Sequence, residues 1–113
     1  MTDEYISSSS SVSTLFPSNG TYLVFVGGGH WQSQNYDNGG GCLLYGWITK
    51  SGNTYTKGEG KYFYGASGWS GISFDSGNTN EISVSSSSFS FNSHISGSGA
   101  ADYVAYNIIS FRL

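Results

Sequence analysis

Thr21-Tyr22-Leu23-Val24-Phe25-Val26-Gly27-Gly28-Gly29-His30-Trp31-Gln32-Ser33-Gln34-Asn35-Tyr36-Asp37-Asn38-Gly39-Gly40-Gly41-Cys42-Leu43-Leu44-Tyr45-Gly46-Trp47-Ile48-Thr49 sets the class of fold for this chain. Its first six and last eight residues are rich in the β-branched and aromatic side chains that fill pleated sheets. Between them lies a polar and aromatic insert with three glycines at each end. Glycine accepts backbone angles closed to other residues, so the two runs let a chain leave a sheet and re-enter it sharply. The pattern predicts strands over 21–26 and 42–49 that carry a displayed loop over 27–41. Connections longer than about 12 to 15 residues in compact domains are commonly functional or disordered.

The flanking sequence repeats the same theme. Upstream, Pro17-Ser18-Asn19-Gly20 reads as a tight turn and Val12-Ser13-Thr14-Leu15-Phe16 as a short strand. Ser7-Ser8-Ser9-Ser10-Ser11 has little to bury, so residues 1–11 are expected to form a polar tail or linker, and 12–113 a single domain. Downstream, Thr54-Tyr55-Thr56 and Lys61-Tyr62-Phe63-Tyr64 read as short strands separated by Gly58-Glu59-Gly60. Ile72 and Phe74 alternate with polar neighbours, which is the period of a strand. Asp75-Ser76-Gly77-Asn78-Thr79-Asn80 turns the chain, and 80–85 with 88–95 form the clearest hairpin, around Ser85-Ser86-Ser87-Ser88. Tyr103 to Leu113 reads as a final strand, apolar on both faces. The whole predicts an all-β fold: an antiparallel, jelly-roll-like β-sandwich of about eight strands.

Strand 21–26 is also two-sided, with Tyr22, Val24 and Val26 opposed to Leu23 and Phe25. An antiparallel strand with one wet face should alternate apolar and polar residues. Two such strands would expose too much apolar surface, so a cover is needed, and the economical one is another copy of the chain.

Composition excludes several classes of function. Only 10% of the 113 residues are charged, and four Lys and Arg against seven Asp and Glu give a net charge of −3. A chain that tracks phosphates needs a basic surface, so no nucleic-acid partner is expected. Cys42 is the only cysteine, beside an apolar strand, where a thiol is usually a small core residue; no disulfide or Cys-based zinc site can form within the chain. His30 and His94 are the only histidines, no Gly-x-Ser-x-Gly elbow occurs, and no sequence spacing pairs two carboxylates. No catalytic residue, metal site or cofactor is therefore expected; Asp75 to Glu81 is oxygen-rich but lacks the spacing of a calcium loop. Met1-Thr2-Asp3-Glu4-Tyr5 carries acid where a secretory signal carries base, and no apolar run is long enough to span a bilayer. Synthesis in a cytoplasm without membrane insertion is the expectation.

The insert holds the chemistry that does suggest a function. Trp31 and Tyr36 offer flat faces with a polar edge, and His30, Gln34, Asn35, Asp37 and Asn38 can hydrogen-bond around a polyol. Trp69, in Gly68-Trp69-Ser70-Gly71, is a second aromatic candidate. A neutral sugar needs this inventory, and a protein epitope would suit it as well.

With its polar lead, its Ser/Gly/Asn/Tyr-rich strands, Pro17 to Phe25 and the last strand Tyr103 to Leu113, nearly the whole chain resembles the C-terminal tip domain of bacteriophage tail fibres and related receptor-binding proteins. The resemblance implies a virion protein, a homotrimer of β-sandwiches, and binding to a bacterial surface glycan or outer-membrane protein. Gly20-Thr21-Tyr22-Leu23-Val24 is also similar to the Gly-x-Tyr-x-Phe strand of the trimeric C1q-like jelly rolls, although Val24 stands in the Phe position. The alternatives are a structural fibre component with no external ligand and a free-standing monomeric lectin.

Overall fold

The computed structural model describes residues 2–3, 11–32, 35–68, 71–92 and 103–113, and of these the side chains of 11–29, 39–65, 73–92 and 106–113. The described chain is an all-β, sandwich-like fold of two antiparallel sheets. Its strands are β1 (Thr2–Asp3), β2 (Gly20–Gln32), β3 (Asn35–Ser51), β4 (Thr54–Gly68), β5 (Gly71–Gly77), β6 (Ile82–Val84), β7 (Phe89–Asn92) and β8 (Tyr103–Arg112), with one short helix, α1 (Val12–Leu15). The larger sheet runs β5-β4-β3-β2-β8 and the smaller β1-β7-β6. Thus β2 to β5 form a meander, and the last strand returns to pair with β2.

The two-sided strands divide as their sequences predict. Tyr22, Val24 and Val26 of β2, Leu44 and Ile48 of β3, and Tyr106 and Ile108 of β8 are buried. They meet Ile82, Phe89 and Phe91 from the smaller sheet in one core, which also encloses Cys42. Phe91 stands edge-on to Tyr106 with ring centroids 5.0 Å apart, a favoured aromatic geometry. The expected serine-turn hairpin is present as β6–β7: Ser85 N donates to Ser88 O at 2.9 Å, and Ser88 N to Ser85 Oγ at 3.1 Å.

Two expectations about these elements need correction. Val12 to Leu15 is helical, not a strand. Ser11 Oγ accepts from Thr14 N at 3.2 Å as an N-cap, Pro17 follows the helix, and Val12, Leu15 and Phe16 are buried. Phe16 then stands edge-on to Tyr22 at 5.0 Å and packs on Tyr55 at 5.6 Å. Tertiary burial outweighs the β propensity of Val and Thr here. Second, 54–56 and 61–64 belong to one strand. Gly46 pairs with Gly60 and Ile48 with Lys57, so Gly58 and Glu59 face the single residue Trp47. That is a β-bulge and not a break. Of residues 1–10, Thr2 and Asp3 are described, and they pair with Asn92 and Phe91.

The link from α1 to β2 is tied down along its length. Tyr22 Oη donates to Ser18 O at 2.6 Å and accepts from Ser18 N at 3.1 Å. Arg112 donates to Asn19 O through Nε at 3.1 Å and Nη2 at 2.9 Å, and Lys50 Nζ donates to Phe16 O at 2.8 Å. Asn19 Oδ1 accepts from Gly52 N at 2.9 Å, across the β3–β4 turn, where Gly52 takes the left-handed φ of +62°.

Candidate functional site

The displayed loop expected over 27–41 is instead the far arm of the β2–β3 hairpin. The ladder continues through both glycine runs, with Gly28 opposite Cys42, Gly29 opposite Gly41, His30 opposite Gly40 and Trp31 opposite Gly39. Glycine serves close approach here: a Cβ on Gly29 would run into the carbonyl oxygen of Gly40. The glycines therefore hold two strands together where they were expected to let them part.

The arm changes register at its far end. Gln32 pairs with Asn35 while Trp31 pairs with Gly39, which leaves Tyr36, Asp37 and Asn38 of β3 without a β2 partner in the ladder. Other elements meet at the same end of the sheet. The β4–β5 hairpin closes there at Gly68 and Gly71, with Ser67 paired to Gly39. The last strand starts there, with Tyr103 opposite Trp31. The topology thus gathers His30, Trp31, Asn35, Tyr36, Asp37 and Asn38 at the end where residues 68 and 71 flank the sequence position of Trp69. Gln34 and Trp69 themselves lie outside the described residues, as does His94, and the other six are described in backbone only.

A second candidate, which sequence reasoning missed, is a groove of about 740 Å³ built on the β4 bulge. Tyr45 and Trp47 line it, with Lys57, Glu59, Lys61 and Asn78 among its polar groups. Its shape depends on the buried Asn80. Asn80 Nδ2 donates to Trp47 O at 3.1 Å and Gly58 O at 3.0 Å, while Oδ1 accepts from Ile82 N at 3.0 Å. The amide thereby joins the bulge of the larger sheet to β6 of the smaller one. Gly46 and Gly60 make room for it, since a Cβ on Gly46 would overlap the Asn80 amide and one on Gly60 would meet Tyr45 O and Asn80. The local signal was present in Gly58-Glu59-Gly60, but the partner lies some twenty residues further on.

A third concavity, of about 720 Å³, lies beside Leu43, Phe63 and Phe74 over Gly41 and Gly65. Near it, Tyr62 Oη donates to Asp75 Oδ2 at 3.4 Å. Desolvation, and then the Asp75 carboxylate, raise the Tyr62 phenol above its ordinary value. Among the described residues no group of three His, Cys, Asp or Glu is placed to hold a metal ion. Among them, too, no helix is long and apolar enough to cross a membrane.

No family model matches the chain, and no curated protein or solved structure is significantly similar to it.

Proposed function

We propose that this chain is a receptor-binding module of the tail-fibre type, a virion protein that works as a homo-oligomer, a trimer by its resemblance, and binds a bacterial surface glycan. Chemically, Trp31 and Tyr36 supply stacking platforms for the apolar face of a pyranose, and His30, Gln34, Asn35, Asp37 and Asn38 supply donors and acceptors for its hydroxyls. Trp69 is a further aromatic candidate for the same ligand. The observation that carries the proposal is the register change at the sheet end: Tyr36, Asp37 and Asn38 are freed from the β2 ladder where the β4–β5 hairpin also closes. A recognition segment borne on a rigid ladder binds with less ordering cost than a free loop.

The test is Trp31→Ala, read by adsorption to host cells and by glycan-array binding. The expected result is an intact assembly with binding lost, and unchanged binding refutes the site. Trp47→Ala serves as the companion variant. Loss of binding there with the oligomer's mass unchanged, and with Trp31→Ala unaffected, would move the ligand to the groove of Tyr45 and Trp47. An outer-membrane protein as receptor would give cell adsorption without a glycan-array signal.

A further inference from the structure

We propose that the outer face of the five-stranded sheet, the one turned away from the core, is the surface through which copies of this chain associate; this rests on the oligomeric reading above and gives it an interface. The register sets the face out row by row. Phe111, Leu23 and Trp47 form one row, and Ile109, Phe25, Tyr45 and Lys61 the next. Asn107, Gly27, Leu43, Phe63 and Ser76 follow, and then Gly29, Gly41, Gly65 and Phe74. An apolar band therefore crosses all five strands. It is open to solvent in the single chain: Phe74 is 82% exposed, Ile109 and Phe111 53%, Leu43 47% and Phe63 46%. Soluble monomers rarely show contiguous apolar patches beyond a few hundred Å².

Three observations make the occupant a second copy. The first is area. The four rows run about 23 Å along the strands, seven residues at about 3.3 Å each, and five strands at about 4.8 Å span about 24 Å. They frame an outline on the order of 550 Å², which side-chain relief enlarges toward the roughly 800 Å² per partner of a standard stable interface. The second is charge. Lys61 is the one charge in the paired rows, and the bulge opposite Trp47 adds Glu59 and Lys57 at their border, so the face carries both signs at its edge and none in its middle, and a copy meets it with little like-charge penalty. The third is relief. Leu43, Phe63 and Phe74 stand around a hollow of about 720 Å³ that lies over Gly41 and Gly65, and Gly27 and Gly29 beside it present no side chain. In a ring of copies the raised aromatic and leucine side chains of one chain fill the hollow and glycine positions of the next, the head-to-tail contact by which a closed trimer forms.

The experiment is light scattering on the eluting full-length chain, beside Phe63→Lys and Ile109→Lys at opposite sides of the band and Ser86→Lys in the exposed β6–β7 turn. Wild type and Ser86→Lys should elute at the same multiple of 12.1 kDa, and both face variants at 12.1 kDa with unchanged far-ultraviolet circular dichroism. If one face variant fails to fold, the other decides. A 12.1 kDa wild type overturns the proposal whether or not it adsorbs to cells; flotation of that species with phosphatidylcholine vesicles would assign the face to lipid instead. Face variants that keep the wild-type mass also overturn it. An oligomeric wild type dispersed by the face variants upholds the interface even if no cell or glycan is bound, in which case only the receptor-binding proposal fails.

Discussion

Asn80→Ala tests the link between the two sheets. The substitution strands three backbone groups: the carbonyls of Trp47 and Gly58, which lose the Nδ2 donor, and Ile82 N–H, which loses Oδ1. Ile82 is fully buried, so its N–H keeps the whole desolvation cost, whereas Gly58 is exposed and Trp47 half-buried, and water can reach their carbonyls. At about 1–3 kcal/mol for each buried group left unsatisfied, one full and two partial penalties come to about 2–4 kcal/mol. That is a large share of the roughly 5–15 kcal/mol that holds a domain folded. With a urea slope near 2 kcal/mol per molar, the midpoint of unfolding followed by circular dichroism should fall by about 1–2 M. A double-mutant cycle adds a sharper check. Gly46→Ala places a methyl on the Asn80 amide and should be costly in the wild type, but markedly less so in Asn80→Ala, where that volume is vacant. Coupling between contacting sites is commonly about 0.5–3 kcal/mol. A shift below about 0.5 kcal/mol for Asn80→Ala, of the size seen at ordinary surface positions, or strict additivity with Gly46→Ala, would refute this account of the bulge.

Three further predictions concern β2. Gly27 and Gly29 lie in the same run but differ in surroundings. A Cβ at Gly27 meets only Leu43 Cδ1 at 3.8 Å within the chain, so Gly27→Ala in the dissociated Ile109→Lys background should be neutral or stabilising by about 0.5–1 kcal/mol as the entropy cost of glycine is removed. Gly29→Ala drives a methyl into Gly40 O and should lower stability in urea titration and shift amide resonances along 28–32 and 38–42. Tyr22→Phe removes a buried hydroxyl that both donates to and accepts from the Ser18 backbone, and should cost about 1–2 kcal/mol at constant m-value.

Where local sequence carries the physics, the fold is legible. The alternation of Tyr22, Val24 and Val26 with Leu23 and Phe25 gives both the strand and its two faces, and Tyr103 to Leu113 does the same for β8, because side chains in a strand alternate strictly. The serine hairpin is legible for the same reason, with apolar residues in register on either side of a turn. Features that depend on distant partners are not. Gly58-Glu59-Gly60 reads as a break, since nothing near it announces that Asn80 will fill the gap. Gly27 to Gly29 and Gly39 to Gly41 read as hinges, because their opposition across the ladder becomes visible only once the strands are paired. Val12 to Leu15 reads as a strand because propensity counts Val and Thr, while the decisive facts are a serine cap and three apolar groups turned into the core. In the candidate site, the choice of Trp31 and Tyr36 rests on residue chemistry, and their shared sheet end follows from strand order, which no short stretch encodes.

The pairing of β8 with β2 also sets an order of events during folding. The meander from β2 to β5 joins neighbours in sequence and can zip from its turns, but Leu23 waits for Phe111 and Val26 for Ile108. Until β8 leaves the ribosome, β2 presents an unpaired edge flanked by Tyr22, Val24 and Val26, which is the kind of edge that recruits strands from other molecules. The last strand is therefore this chain's own chaperone for its central sheet. A nascent chain halted before residue 103 would be prone to aggregation, and a peptide spanning 103–113 supplied in trans should rescue it.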